Sequence, residues 1–147
     1  MVASLVDACQ PVLILGGFLI GAEAYGPVAQ RLESQLGQPV QVVPATRLDW
    51  LATVRRWGWA RLLDWVDRLA QDLAERSPRG RITVIGHSSG GLMLRLWLSE
   101  EPFAGRRYGG KRRADCLISL GSPHTALRAT ALRQRVNRQL RGSCGGG

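Results

Sequence analysis

The chain has 147 residues, 45% of them hydrophobic, and a formal net charge of +9 at pH 7, a size and balance that support one domain with a real core. The charge is uneven: residues 1–103 hold ten arginines against ten acids, whereas 104–147 hold nine arginines and Lys111 against Asp115 alone, which excludes a uniformly basic nucleic-acid-binding body. The three cysteines, Cys9, Cys116 and Cys144, are an odd number with no CxxC or paired spacing, so no zinc site and a reducing, cytoplasmic setting are expected.

The first apolar run, Val12 to Ala22, is too short to span a bilayer and contains three glycines. Asp7 and no Lys or Arg precede it, so the basic start of a secretory signal is missing. Val12 to Leu15 reads as a strand running into a glycine turn. A dinucleotide fingerprint fails there because position 18 is Phe, and a P-loop on Gly16 and Gly21 fails because Ala22 stands where lysine is needed. The turn reads either as an ordinary connection or as a strand end whose backbone N–H groups form an oxyanion hole.

Ala24 to Leu36 follows as a helix with Val28, Leu32 and Leu36 at spacings of four, ended by Gly37 and Pro39. Val40 to Val43 is the second strand. Thr46 to Trp57 is less regular, and its neighbours Trp50, Trp57 and Trp59 read either as core and rim packing or as a lipid-facing lip. Gly58 to Arg76 is an amphipathic helix with Leu62, Val66, Leu69 and Leu73 on one face. Its charges at 64, 68, 72 and 76 predict a solvated opposite face.

Ile82 to Ile85 is a β-branched run that fits a strand covered on both faces. It runs into Gly86-His87-Ser88-Ser89-Gly90, a G-x-S-x-G match, and then into the apolar helix from Leu92 to Leu98. Strand, glycine-flanked serine and helix together are the setting of a nucleophile elbow, which exposes the hydroxyl and sets it at a helix start. The simpler reading is a small-residue turn in which Ser88 caps the helix. Pro102 to Arg113 reads as a solvated Gly and Arg loop, with an anionic partner as the alternative. Ala114 to Leu120 is the fourth strand, closed by Gly121-Ser122-Pro123-His124. Thr125 to Arg141 could be a basic helix before a glycine-rich end.

Alternating strands and helices predict an α/β fold with a parallel sheet. With Leu15-Gly16-Gly17-Phe18, the elbow at Gly86 to Gly90 and the closing Gly-Ser-Pro-His turn, the chain resembles the α/β-hydrolase superfamily over about residues 10–127. Within it, the likeness points to the lipase-like branch, which includes acyl hydrolases related to the GPI inositol-deacylase domain. The resemblance implies a three-layer sandwich with about four parallel strands, and a serine hydrolase that acts on esters or lipids without metal or cofactor. Ser88 would be the nucleophile, and the N–H groups of Phe18 and Ser89 the oxyanion hole, with Leu19 as the neighbouring alternative to Phe18. His87 would be structural.

In that superfamily the acid and histidine follow on later strands. The fourth strand reads as the last one here, which leaves Asp115 at the far end of the sheet and His124 in a turn that the resemblance makes structural or substrate-proximal, with the base as its alternative role. Residues 1–127 are therefore expected to be an incomplete hydrolase-like domain, and 128–147 a basic, Gly-ending tail. The change at about Thr125 suggests a shortened or frame-altered version of a longer hydrolase. The second function is a non-catalytic domain of the same fold that binds an acyl ligand or a protein partner. A third, nucleic-acid binding through the tail, predicts affinity that falls steeply with salt. Self-association through an exposed sheet edge is also expected.

Overall fold

A computed structural model of the chain describes residues 10–122. The predicted helix from Thr125 and the tail at 128–147 lie outside the described residues. Four strands form one sheet: β1 (Val12–Leu15), β2 (Val40–Val42), β3 (Ile82–His87) and β4 (Ala114–Leu120), in the order β2-β1-β3-β4. Every pairing is parallel, with Leu15 opposite Gly86 and His87 opposite Leu120. Parallel strands need crossovers, and the helices supply them: α1 (Gly26–Leu36), α2 (Arg47–Ala52), α3 (Arg56–Arg76) and α4 (Ser89–Leu98).

Alternation along β1 and β3 divides the interior. Leu13, Leu15, Ile82 and Val84 face one way and pack with Leu62, Leu63, Val66 and Leu73 of α3 and the apolar face of α4. Val12, Ile14 and Ile85 face the other way and pack with Ala29 and Leu32 of α1. Helices on both faces of an all-parallel sheet make the predicted α/β sandwich, and they explain why β1 is apolar at each position.

Three local expectations change. In α1, Val28 is 47% exposed while Ala29 and Leu32 are buried and Leu36 half-buried, so the inward stripe runs through 29, 32 and 36 at spacings of three and four. The stretch read as irregular holds α2, started by a capping box in which the Thr46 hydroxyl accepts from Asp49 N–H and the Asp49 carboxylate accepts from Thr46 N–H. The corner that follows is tight: a Cβ at Gly58 would fall on the Ala52 carbonyl.

The third change concerns the basic loop after Pro102, which is anchored to α3 at a few side chains while Arg106, Arg107, Lys111 and Arg112 stay exposed. Phe103 and Tyr108 are buried. Arg106 reaches Asp64 at 2.6 Å and Asp67 at 3.0 Å, and Arg113 reaches Asp67 at 3.3 Å. Asp67 is only 7% exposed and also accepts the Trp97 indole N–H at 3.0 Å. A carboxylate taken so far from water needs such partners, and the loop's arginines provide them. Burial, and then donation to Asp64, push the Tyr108 hydroxyl well above the ordinary tyrosine range.

Candidate active site

The site is built where β3 ends. His87 closes the strand, α4 begins at Ser89, and Ser88 between them has φ 53° and ψ −121°. A serine in that region is strained by about 1–3 kcal/mol and persists only because its surroundings fix it. Ser88 N–H donates to Leu120 O at 2.8 Å, and Gly91 N–H donates to Ser88 O at 3.1 Å. The flanking glycines are steric requirements. A Cβ at Gly86 would run into the Gly90–Gly91 backbone, and one at Gly90 would run into the carbonyls of Leu15 and Gly16. The G-x-S-x-G spacing thus lets the elbow fold back on itself and lie against the end of β1.

The glycine turn after β1 lies against the serine. A Cβ on Gly17 would come within 3.2 Å of Ser88 Cβ and 3.4 Å of His87 Nδ1. Ile20 N–H donates to Gly17 O at 3.1 Å, closing the turn, and Leu19 inside it has φ 61°. Strained non-glycine backbone therefore occurs on both sides of the same cleft.

Tyr25 ties the two sides together. It ends a short 3-10 turn, Ala22–Tyr25, and its hydroxyl accepts Gly17 N–H at 2.8 Å while lying 2.8 Å from His87 Nδ1. The Tyr25 ring occupies the space that a Cβ on Gly16 would need, so the Gly16-Gly17 pair makes room first for the tyrosine and then for the serine. Sequence reasoning missed Tyr25; the glycine doublet was the available signal.

Among the predicted oxyanion donors, Phe18 directly follows the N–H that Tyr25 engages. Its ring meets Trp50 edge to face, with centroids 6.5 Å apart, which holds the turn against α2. Ser89 stands at the first position of α4, at the positive end of the helix dipole. His87, on the same strand face as Ile85, turns to Tyr25 on the α1 side of the sheet.

Asp115 lies at the opposite end of the sheet. It accepts from Gln10 at 2.8 Å and pairs with Arg81 at 3.7 Å, beside Ile82 and roughly 16 Å down the strand from the elbow. His124, the base candidate, lies outside the described residues. Next to the elbow, the Ser122 hydroxyl is buried without a hydrogen bond among the described residues, at the place where Gly91 has no side chain. No cluster of three or more His, Cys, Asp or Glu that could hold a metal occurs among the described residues.

A depression of about 510 Å³ opens at the same end of the sheet, lined by Gly21–Glu23 after the glycine turn and Pro44–Leu48 after β2. The carboxyl ends of parallel strands are where such sheets bind ligands. No helix of the described residues is long and apolar enough to cross a membrane.

No protein-family model and no curated protein matches the chain. Solved structures do. An acetylxylan esterase is similar with a TM-score of 0.54 at 12% identity, over 83% of this chain and 67% of that one. An iodinated complex of acetyl xylan esterase is similar with a TM-score of 0.50 at 12% identity, over 82% of this chain and 67% of that one. At this identity the likeness carries the α/β fold and does not reach the lipase-like, GPI inositol-deacylase-related branch; the chain has the fold of these esterases.

Proposed function

We propose that the chain is a serine hydrolase of carboxylic esters, lipid esters among them, that works through an acyl-enzyme on Ser88. The observation that carries this reading is the strained Ser88 backbone, φ 53°, held between two glycines that admit no side chain and facing the Gly17 turn. A turn that only connects strand to helix has no need of such a conformation. The fold neighbours, being esterases, support the same reaction class.

In the proposed reaction Ser88 Oγ attacks the ester carbonyl carbon and gives its proton to a base. The N–H groups of Phe18 and Ser89 donate to the resulting oxyanion. The carbonyl then re-forms, the bond to the alcohol oxygen breaks, and the base returns the proton to the leaving alcohol. Water repeats the sequence on the acyl-enzyme, releasing the carboxylic acid and restoring Ser88. His124 is proposed as the base.

The test is hydrolysis of p-nitrophenyl acetate by the purified chain. Ser88→Ala is expected to reduce turnover at least about a thousandfold, and His124→Ala by a similar factor. A chain that is folded yet no faster than its Ser88→Ala variant would instead be a non-catalytic domain that keeps the cleft to bind an acyl ligand or a partner.

A further inference from the structure

We propose that the corner between α2 and α3 is a docking surface for anionic lipid bilayers. Seven large hydrophobic side chains are exposed among the described residues, and four of them fall within ten positions: Leu48 at 76%, Leu51 at 51%, Val54 at 59% and Trp57 at 59%. Leu48 and Leu51 are three apart on α2 and share its outward face, while Trp50 between them is buried. Because Gly58 lets α3 start against the end of α2, Val54 sits at the turn between the two helices and Trp57 in the first turn of α3. Scattered apolar exposure is ordinary; a concentration on one corner marks a contact surface.

Charge selects the occupant. Trp57, Arg61, Asp64 and Arg68 recur at helical spacing along α3, and with Arg56 and residues 104–106 they line an open groove of about 880 Å³. Asp64 in that lining is taken up by Arg106 and Tyr108, and Arg61 lies 3.7 Å from Asp49, so the positive charge beside the apolar corner rests on Arg56 and Arg68. Apolar tips that enter the acyl region, flanked by arginines at headgroup depth, are what an anionic bilayer binds. Nucleic acid would engage the arginines and leave Leu48 and Leu51 in water. A second copy of this chain would bring like-charged corners together.

The surface is continuous with the cleft: Trp50 holds Phe18 of the glycine turn, and Leu48 lines the depression next to Gly21–Glu23. Docking concerns binding alone, so it stands or falls apart from the ester-hydrolase reading.

The experiment is co-sedimentation of the full chain with vesicles of phosphatidylcholine and phosphatidylserine in equal parts, beside phosphatidylcholine alone. Binding to the anionic vesicles is expected, weakened at least about tenfold by Leu51→Glu with Trp57→Glu and about fivefold by Arg68→Gln. Brominated phosphatidylcholine in those vesicles should quench the emission of the parent chain more than that of Trp57→Leu. Undiminished binding of the double variant would assign adhesion to the basic residues after 103 and overturn the proposal. So would no binding at all, or an oligomer of the free chain that the double variant dissolves.

Discussion

Ser88 combines a requirement of chemistry with a cost in stability, and the two can be separated by substitution. Replacing the serine with alanine removes the hydroxyl and keeps the Cβ that the positive φ disfavours; replacing it with glycine removes both. Ser88→Gly is therefore expected to be more stable than Ser88→Ala by about 1 kcal/mol in urea unfolding, the strain otherwise stored at the elbow. Equal stabilities would mean that the backbone there carries no strain. Tyr25 poses the complementary question, because its hydroxyl holds Gly17 N–H and His87 Nδ1 at once without touching the reacting atoms. Tyr25→Phe should lower kcat for ester hydrolysis about tenfold with little change in KM, at a stability loss of about 1–2 kcal/mol. A change confined to KM would place the tyrosine in substrate binding rather than in positioning the turn.

At the scale of elements, the contrast between legible and hidden features has a physical basis. The strands could be read because a parallel strand covered on both faces is apolar or β-branched throughout, as Val12–Leu15 and Ile82–Ile85 are, the one hydroxyl, on Thr83, accepting from Gln10. The elbow could be read because two close backbone approaches dictate glycine at fixed spacing on either side of Ser88. The burial of Asp67 could not be read, since its partners Trp97, Arg106 and Arg113 lie 30 to 46 residues away and leave no mark on helical periodicity. Tyr25 was hidden for the same reason, its partner His87 lying 62 residues on. The loop read as solvated carried counter-ions for a buried acid on α3. Asp67→Ala, which leaves the buried Trp97 indole N–H and the Arg113 guanidinium without that carboxylate while Arg106 keeps Asp64, should cost about 1–3 kcal/mol in urea unfolding. A loss below about 1 kcal/mol would show that the network contributes little.

The same loop gives the whole molecule a pH signature. The Tyr108 pKa is raised in the folded state, so the native chain holds a proton that the unfolded chain releases from about pH 10 upward. That contribution is fully present below pH 10 and is lost as pH rises through the native value, so stability should fall with rising pH in that range. Tyr108→Phe should flatten the decline, and an identical slope in the variant would contradict the assignment. All the parts considered, the sandwich, the strained serine and the turn tied by Tyr25 converge at one end of the sheet on one claim, that Ser88 is an activated nucleophile. The measurement that tests it most directly is labelling of the folded chain with a fluorophosphonate, with the adduct located by mass spectrometry. A single adduct on Ser88 is expected, absent in Ser88→Ala and slowed in Tyr25→Phe. Labelling elsewhere, or none in a chain shown to be folded, would contradict it.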